Sequence, residues 1–217
     1  MLQAAPPFDP ATADRAFAIS VVDQAAFQLL PTLAARLVDE APHVRIEVRP
    51  SLEDRITEAL SGALDLAVGV FRDAPAAVRT EPLWREEFVC VVRRASPAAR
   101  GPFDLDRYLA LRHLLVAPRG APGSPIDETL ARRGRRRNVV LTVPHFLVAP
   151  QIVATTDLVW TAPIGLAGRF ATQLPLTIRQ PPLVVAGFGV SMRWHVRLDR
   201  DPGLAWLRRM LQATAPA

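Results

Sequence analysis

The side chains able to do chemistry are few and scattered. Four histidines and a single cysteine are spread over 217 residues. The most concentrated group is Pro144-His145-Phe146. An imidazole there can donate a hydrogen bond to a ligand, and the adjacent ring can stack on an aromatic one. A structural histidine is the competing reading. Phe188 is a candidate wall of the same site, with core packing the alternative. Val22-Asp23 and Ser51 stand where helices should begin after strands. Helix N-termini present N–H groups and a partial positive charge, which suit a carboxylate ligand. The Asp23 carboxylate would compete with such an anion, and plain helix capping is the other reading of Asp23 and Ser51.

Catalytic signatures are missing. There is no G-x-S-x-G, no HExxH and no Cys/His cluster with metal spacing. Cys90 sits inside the apolar run Phe88–Val92 and reads as a buried small hydrophobe rather than a nucleophile. Glu86-Glu87 reads as an exposed turn. Arg119–Ser124 is neither a P-loop nor a dinucleotide fingerprint. Arg132-Arg133-Gly134-Arg135-Arg136-Arg137 reads as a solvated helix end and turn, against phosphate contact as the alternative. No enzyme activity, metal or cofactor is expected.

These residues are positioned by alternating strands and helices. Strands are expected over Arg15–Val22, Val44–Val48, Asp65–Val70, Phe88–Val92, Leu114–Ala117, Val139–Val143, Leu158–Thr161 and Met192–Leu198. Helical spacing follows Asp23, with Pro31 starting the main segment, and Pro42 ends it. Ser51 opens a second helix. Further helices are expected over Asp104–Leu111, from Ser124 to a stop at Gly134, over Phe146–Thr155, near Ile164–Phe170, and after Asp201-Pro202. The order predicts an α/β fold with parallel sheets, the Phe88 run continuing the first one. Ligands in such sheets sit at the carboxyl ends of strands.

Composition agrees with a folded chain: half the residues are hydrophobic and 22% are charged. The net charge of +5 comes from 26 arginines and no lysine, which reflects coding bias more than a nucleic-acid partner. Met1–Pro10 lacks the pattern of a signal peptide, and no apolar stretch reaches membrane-spanning length. A soluble cytoplasmic protein is expected, with no membrane partner.

Several segments together resemble the effector-binding domain of LysR-type transcriptional regulators. Leu30-Pro31-Thr32-Leu33, Pro42 and Gly62-Ala63-Leu64-Asp65-Leu66-Ala67-Val68-Gly69 carry the general likeness. Phe8-Asp9-Pro10-Ala11, Val143-Pro144-His145-Phe146, Thr156-Asp157-Leu158, Trp194-His195, Asp201-Pro202-Gly203 and Trp206-Leu207-Arg208 resemble the subgroup regulating nodulation and aromatic-compound degradation. The resemblance implies a type 2 periplasmic-binding-protein-like fold, two βα lobes joined by two crossover segments near Arg93-Arg94 and Ala186-Gly187. It implies a linker stub over 1–14, a first lobe of 15–93 plus 187–217, and a second of 94–186. The family's N-terminal helix-turn-helix is not expected in this chain, so specific DNA binding would need that missing part. It further implies a small aromatic or carboxylate effector in the inter-lobe cleft, bounded by Val22, Asp23, Ser51, Pro144, His145, Phe146 and Phe188. A homodimer is implied, with higher oligomers for the full-length protein. A transporter's solute-binding protein and an enzyme on the same fold are the alternatives.

Overall fold

Alternating apolar residues make the first strand, β1 (Arg15–Val21), where Phe17, Ile19 and Val21 are buried on one face and Ser20 on the other. In the computed structural model, which describes residues 8–49, 60, 62–71, 75–118 and 123–216, β1 pairs in parallel with β2 (Val44–Arg49) and β3 (Leu66–Gly69). Helix α1 (Asp23–Glu40) joins β1 to β2. Pro31 lies inside α1 rather than at its start. The buried stripe Gln24, Ala25, Gln28, Leu29, Leu33 runs straight past it. Packing of that stripe offsets the one backbone bond that an exposed proline removes.

The sheet is completed by two strands, in the order β2-β1-β3-β10-β4. β4 spans Val78–Glu86, and β10 spans Phe188–His195 and runs antiparallel to β3. Met192–Leu198, expected as one strand, becomes the end of β10 followed by a single 3-10 turn over Val196–Leu198. The last helix, α6 (Pro202–Thr214), is capped by Asp201, which accepts from Leu204 N at 2.7 Å.

A second sheet has the order β7-β6-β8-β5-β9. Its strands are β5 (Phe88–Arg93), β6 (Arg112–Val116), β7 (Asn138–Val143), β8 (Val159–Pro163) and β9 (Leu176–Arg179). β6 pairs in parallel with β7 and β8, while β5 is antiparallel to both β8 and β9. The Phe88 run therefore does not continue the first sheet. A parallel neighbour needs a crossover of a dozen or more residues, and only Glu87 separates β4 from β5. Both sheets are mixed rather than purely parallel.

Helices α2 (Leu105–Ala110) and α3 (Pro125–Ala131) bring Tyr108, Ile126 and Leu130 onto Cys90, Val92 and Val159. Val89 and Val91 point the other way along β5 and are equally buried, so both faces of this sheet are covered. Helices α4 (Ala149–Thr155) and α5 (Ile164–Ala171) also pack on its strands. The chain thus forms two units. One holds the described residues up to Arg85 and those from Gly189 onward; the other is Glu86–Phe188. Among the described residues, no helix is long and apolar enough to cross a membrane.

Candidate functional site

The candidate residues stand at strand ends. In the first unit, Val21 is the register partner of Val68 on parallel β3, so β1 and β3 end at one edge of their sheet. Val22 follows in extended backbone as the N-cap of α1 and makes no side-chain cap hydrogen bond. Asp23 turns back on the helix start, its Oδ1 accepting from Gln24 N at 2.9 Å. Its charge thus sits where an anionic ligand would need the helix N-terminus. Ser51 lies outside the described residues.

Two residues at the same edge were not singled out from the sequence. Phe71 follows β3, and the guanidinium of buried Arg193 on β10 sits 4.2 Å from its ring centroid. A lone Arg-Trp-His triplet on an expected strand gave no signal for this, because the ring that covers Arg193 is 122 residues away in the chain. His195 has a local role: its Nδ1 accepts from Arg197 N at 3.2 Å. Trp206 is packing, with its ring 5.2 Å from Phe8 and 6.2 Å from Phe17.

In the second unit, Val116 pairs with Val143, and Ala117 N donates to Val143 O at 2.8 Å. Pro144-His145-Phe146 therefore leaves the carboxyl edge of the second sheet. Pro144 and His145 are exposed and Phe146 is half-buried. The three residues do not open the helix as expected. They lead into a turn closed by Ala149 N donating to Phe146 O, and α4 begins at Ala149. Pro150 is the reason: it has no N–H to give Phe146 O, so it is accommodated only in a first turn. Phe188 is half-buried against Phe88, with centroids 5.3 Å apart. Phe88 is the register partner of Pro163 at the end of β8. The structure thus places Phe88 and Phe188 at the same sheet edge as Pro144-His145-Phe146.

Several other helix starts are occupied, although α4 has no side-chain cap. Asp104 caps α2, Ser124 caps α3, and the Glu86 carboxylate accepts from Gly165 N in α5. Among the described residues, no group of His, Cys, Asp or Glu side chains could hold a metal ion.

A model of the LysR substrate binding domain matches residues 11–216. The chain belongs to that family. It is 31% identical over 204 residues to the HTH-type transcriptional activator NagR of Ralstonia sp, covering 94% of this chain and 68% of NagR. The crystal structure of a probable transcriptional regulator from Pseudomonas aeruginosa superposes with a TM-score of 0.88 at 30% identity, over 97% of this chain and 70% of that one. The regulatory domain of MexT, a transcriptional activator in the same organism, gives 0.81 at 31% identity, over 94% of this chain and all of that one. The relatives fall among nodulation and aromatic-degradation regulators, the subgroup that the motifs indicated.

This LysR domain accordingly has the type 2 periplasmic-binding-protein-like fold, with an α/β lobe in each unit, and its role is ligand sensing in transcription regulation. Its densest polar chemistry is buried in the second unit and is structural. Arg137, with a side chain only 2% exposed, holds Asp127 with Nε–Oδ1 at 2.7 Å and Nη2–Oδ2 at 3.0 Å. Its Nη2 also donates to Ser124 Oγ, whose hydroxyl donates to Asp127 Oδ2 at 2.7 Å. Burial alone would raise the Asp127 pKa, but the hydrogen bonds from Arg137 and Ser124 outweigh it and hold the carboxyl below its usual range. The basic run is therefore not wholly solvated. Arg137 is buried, Arg135 pairs with Asp106, and Gly134 turns the chain at φ +64° after α3.

Beside this pair, the Tyr108 hydroxyl lies 2.9 Å from Thr161 Oγ1, and Cys90 Sγ lies 3.8 Å from the same oxygen. Burial pushes the Cys90 thiol up to about 12, so it is no thiolate nucleophile. His113 is fully buried, and its Nε2 donates to the Tyr108 carbonyl at 2.9 Å. A carbonyl can only accept, so Nε2 carries the proton and Nδ1 is a bare lone pair with no partner among the described residues.

Proposed function

We propose that this domain binds a small aromatic or carboxylate effector at the carboxyl-end edges of its two sheets. Binding would favour one conformation of the domain and so bias transcription control. The contact set is Val22, Asp23, Ser51, Pro144, His145, Phe146 and Phe188. The observation that supports this best is the turn after β7. It offers an exposed imidazole next to a half-buried ring at the carboxyl edge of parallel strands, where such sheets take ligands. Phe188 and Phe88 add aromatic surface at that edge. The domain is non-catalytic on this reading and works in the cytoplasm. On this reading its link to DNA is a helix-turn-helix domain of the kind that the relatives' HTH-type names print.

Thermal shift against benzoates, salicylates, flavonoid-like phenols and aliphatic dicarboxylates tests the reading. A ligand at a hundredfold its dissociation constant adds about 2.7 kcal/mol of stability. If no compound in such a panel moves the midpoint, the sensing role proposed for these edges is wrong. If His145→Ala responds to a hit as the parent does, the proposed contact is wrong.

We also propose a homodimer. Both sheets expose apolar side chains on a terminal strand: Val48 on β2, and Val140 and Leu141, 49% and 39% exposed, on β7. Sedimentation should give a dimer that Val140→Arg shifts towards monomer. A monomer at every concentration would refute it.

A further inference from the structure

The strand β8 runs directly into α5, with Pro163 as the N-cap. Proline offers no side-chain oxygen, and Pro163 makes no cap hydrogen bond. An uncapped N-terminus placed straight after a strand is a ready anion site. Here it is filled from 79 residues away: Gly165 N donates to Glu86 Oε2 at 3.0 Å. Glu86 is only 2% exposed, although the sequence suggested an exposed turn. A buried carboxylate is costly unless hydrogen bonds and positive charge compensate it, and the helix start supplies both. The next residue joins in, since Ile164 N donates to Glu87 O at 2.9 Å.

The returning segment closes on the same spot. A Cβ added at Gly187 would collide with the carbonyl oxygen of Glu86, so the two backbones pack as only glycine allows. Phe88 and Phe188 pack just beyond, their rings tilted by 49°. A Cβ at Gly189 would meet open space. The limit of the second unit falls at Glu86 and Phe188.

We propose that the N-terminus of α5 is a carboxylate-binding site whose built-in occupant is Glu86, and that this occupancy pins the entering and leaving chain segments to β8 and α5. Glu86 is a positioning residue. The proposal does not depend on what the effector is or where it binds.

Hydrogen exchange at the Ile164 and Gly165 amides tests it in the full 217-residue chain. Glu86→Gln keeps an acceptor oxygen and should keep both amides slow. Glu86→Met has similar volume but no such oxygen, and should speed Gly165 exchange about tenfold or more. In Glu86→Ala the emptied site should take a small carboxylate. Formate should then restore slow exchange and raise the melting midpoint more than chloride at equal ionic strength. Recovery in formate serves equally if that variant does not fold in chloride. Slow exchange in Glu86→Met would overturn the proposal, and so would a Glu86→Ala protein indifferent to formate over chloride.

Discussion

Acid should destabilise this domain through His113. Its ring is fully buried between α2 and the second sheet. Burial is the main cause that takes its pKa from the ordinary 6.5 down to about 4; the hydrogen bond to Tyr108 works against this, and the charge of Arg137 works with it. The folded state therefore refuses a proton that the unfolded chain accepts below pH 6.5. The contribution to stability is complete above that pH and is lost as pH falls from 6.5 to about 4, where the folded state protonates as well. At about 1.4 kcal/mol per pH unit, a gap from 6.5 to about 4 amounts to about 3 kcal/mol. That is a large share of the stability of an ordinary domain. The assay is urea unfolding at several pH values, read from the second unit by hydrogen exchange of β6 and β8. Wild type should lose about 3 kcal/mol more than His113→Leu between neutral pH and pH 4. The variant should start lower, because it loses the Tyr108 bond, yet show a flatter profile. An imidazole resonance assigned to His113 should stay neutral well below pH 6. Equal pH slopes in the two proteins, or a His113 resonance titrating near 6.5, would refute the reasoning.

Three further outcomes follow from the geometry. Asp127→Ala leaves the buried Arg137 guanidinium without its counter-charge and should cost about 3–5 kcal/mol in urea unfolding, while Asp127→Leu combined with Arg137→Met should recover most of it. The Cys90 thiol should not react with a disulfide reagent in native protein and should react fully in denaturant; fast native labelling would contradict its burial. Asp201→Ala removes both the α6 cap and the partner of Arg15, and should cost about 1–2 kcal/mol; Asp201→Ser should restore the cap part of that loss.

Most of the fold was legible from periodicity because its central strands are short apolar runs bounded by caps and prolines. The two strands that escaped notice are both at sheet edges. β4 contains Pro82 and shows exposed charges, and β9 is only Leu176–Arg179. Edge strands tolerate proline and polar residues on their unpaired side, so they lack the signal that marks central ones. The candidate site was legible only where a local pattern existed. The strand-to-helix positions of Val22 and Pro144 follow from element order, and Ser124 and Asp201 follow from capping spacing. Glu86 on α5 and Arg193 on Phe71 unite residues far apart in the chain, and Arg137 meets Asp127 only because the turn after α3 folds back on its start. Nothing near Glu86 says that a helix start 79 residues later lacks a cap. Arg137 looks like its neighbours in the basic run until the fold buries it.

The place of β10 in the first sheet sets an order of assembly during synthesis. The second unit is one continuous stretch, Glu86–Phe188, and all its strands β5–β9 emerge from the ribosome before β10 does. The first sheet cannot close at that stage, because β10 sits between β3 and β4. Until residues 188–195 emerge, β3 has an unpaired edge, and α6 is not yet there to cover Phe17. The newborn chain thus carries a finished later half and an open earlier half. A ribosome that stalls shortly before β10 would release a sticky strand edge, the form in which such chains associate wrongly or need a chaperone.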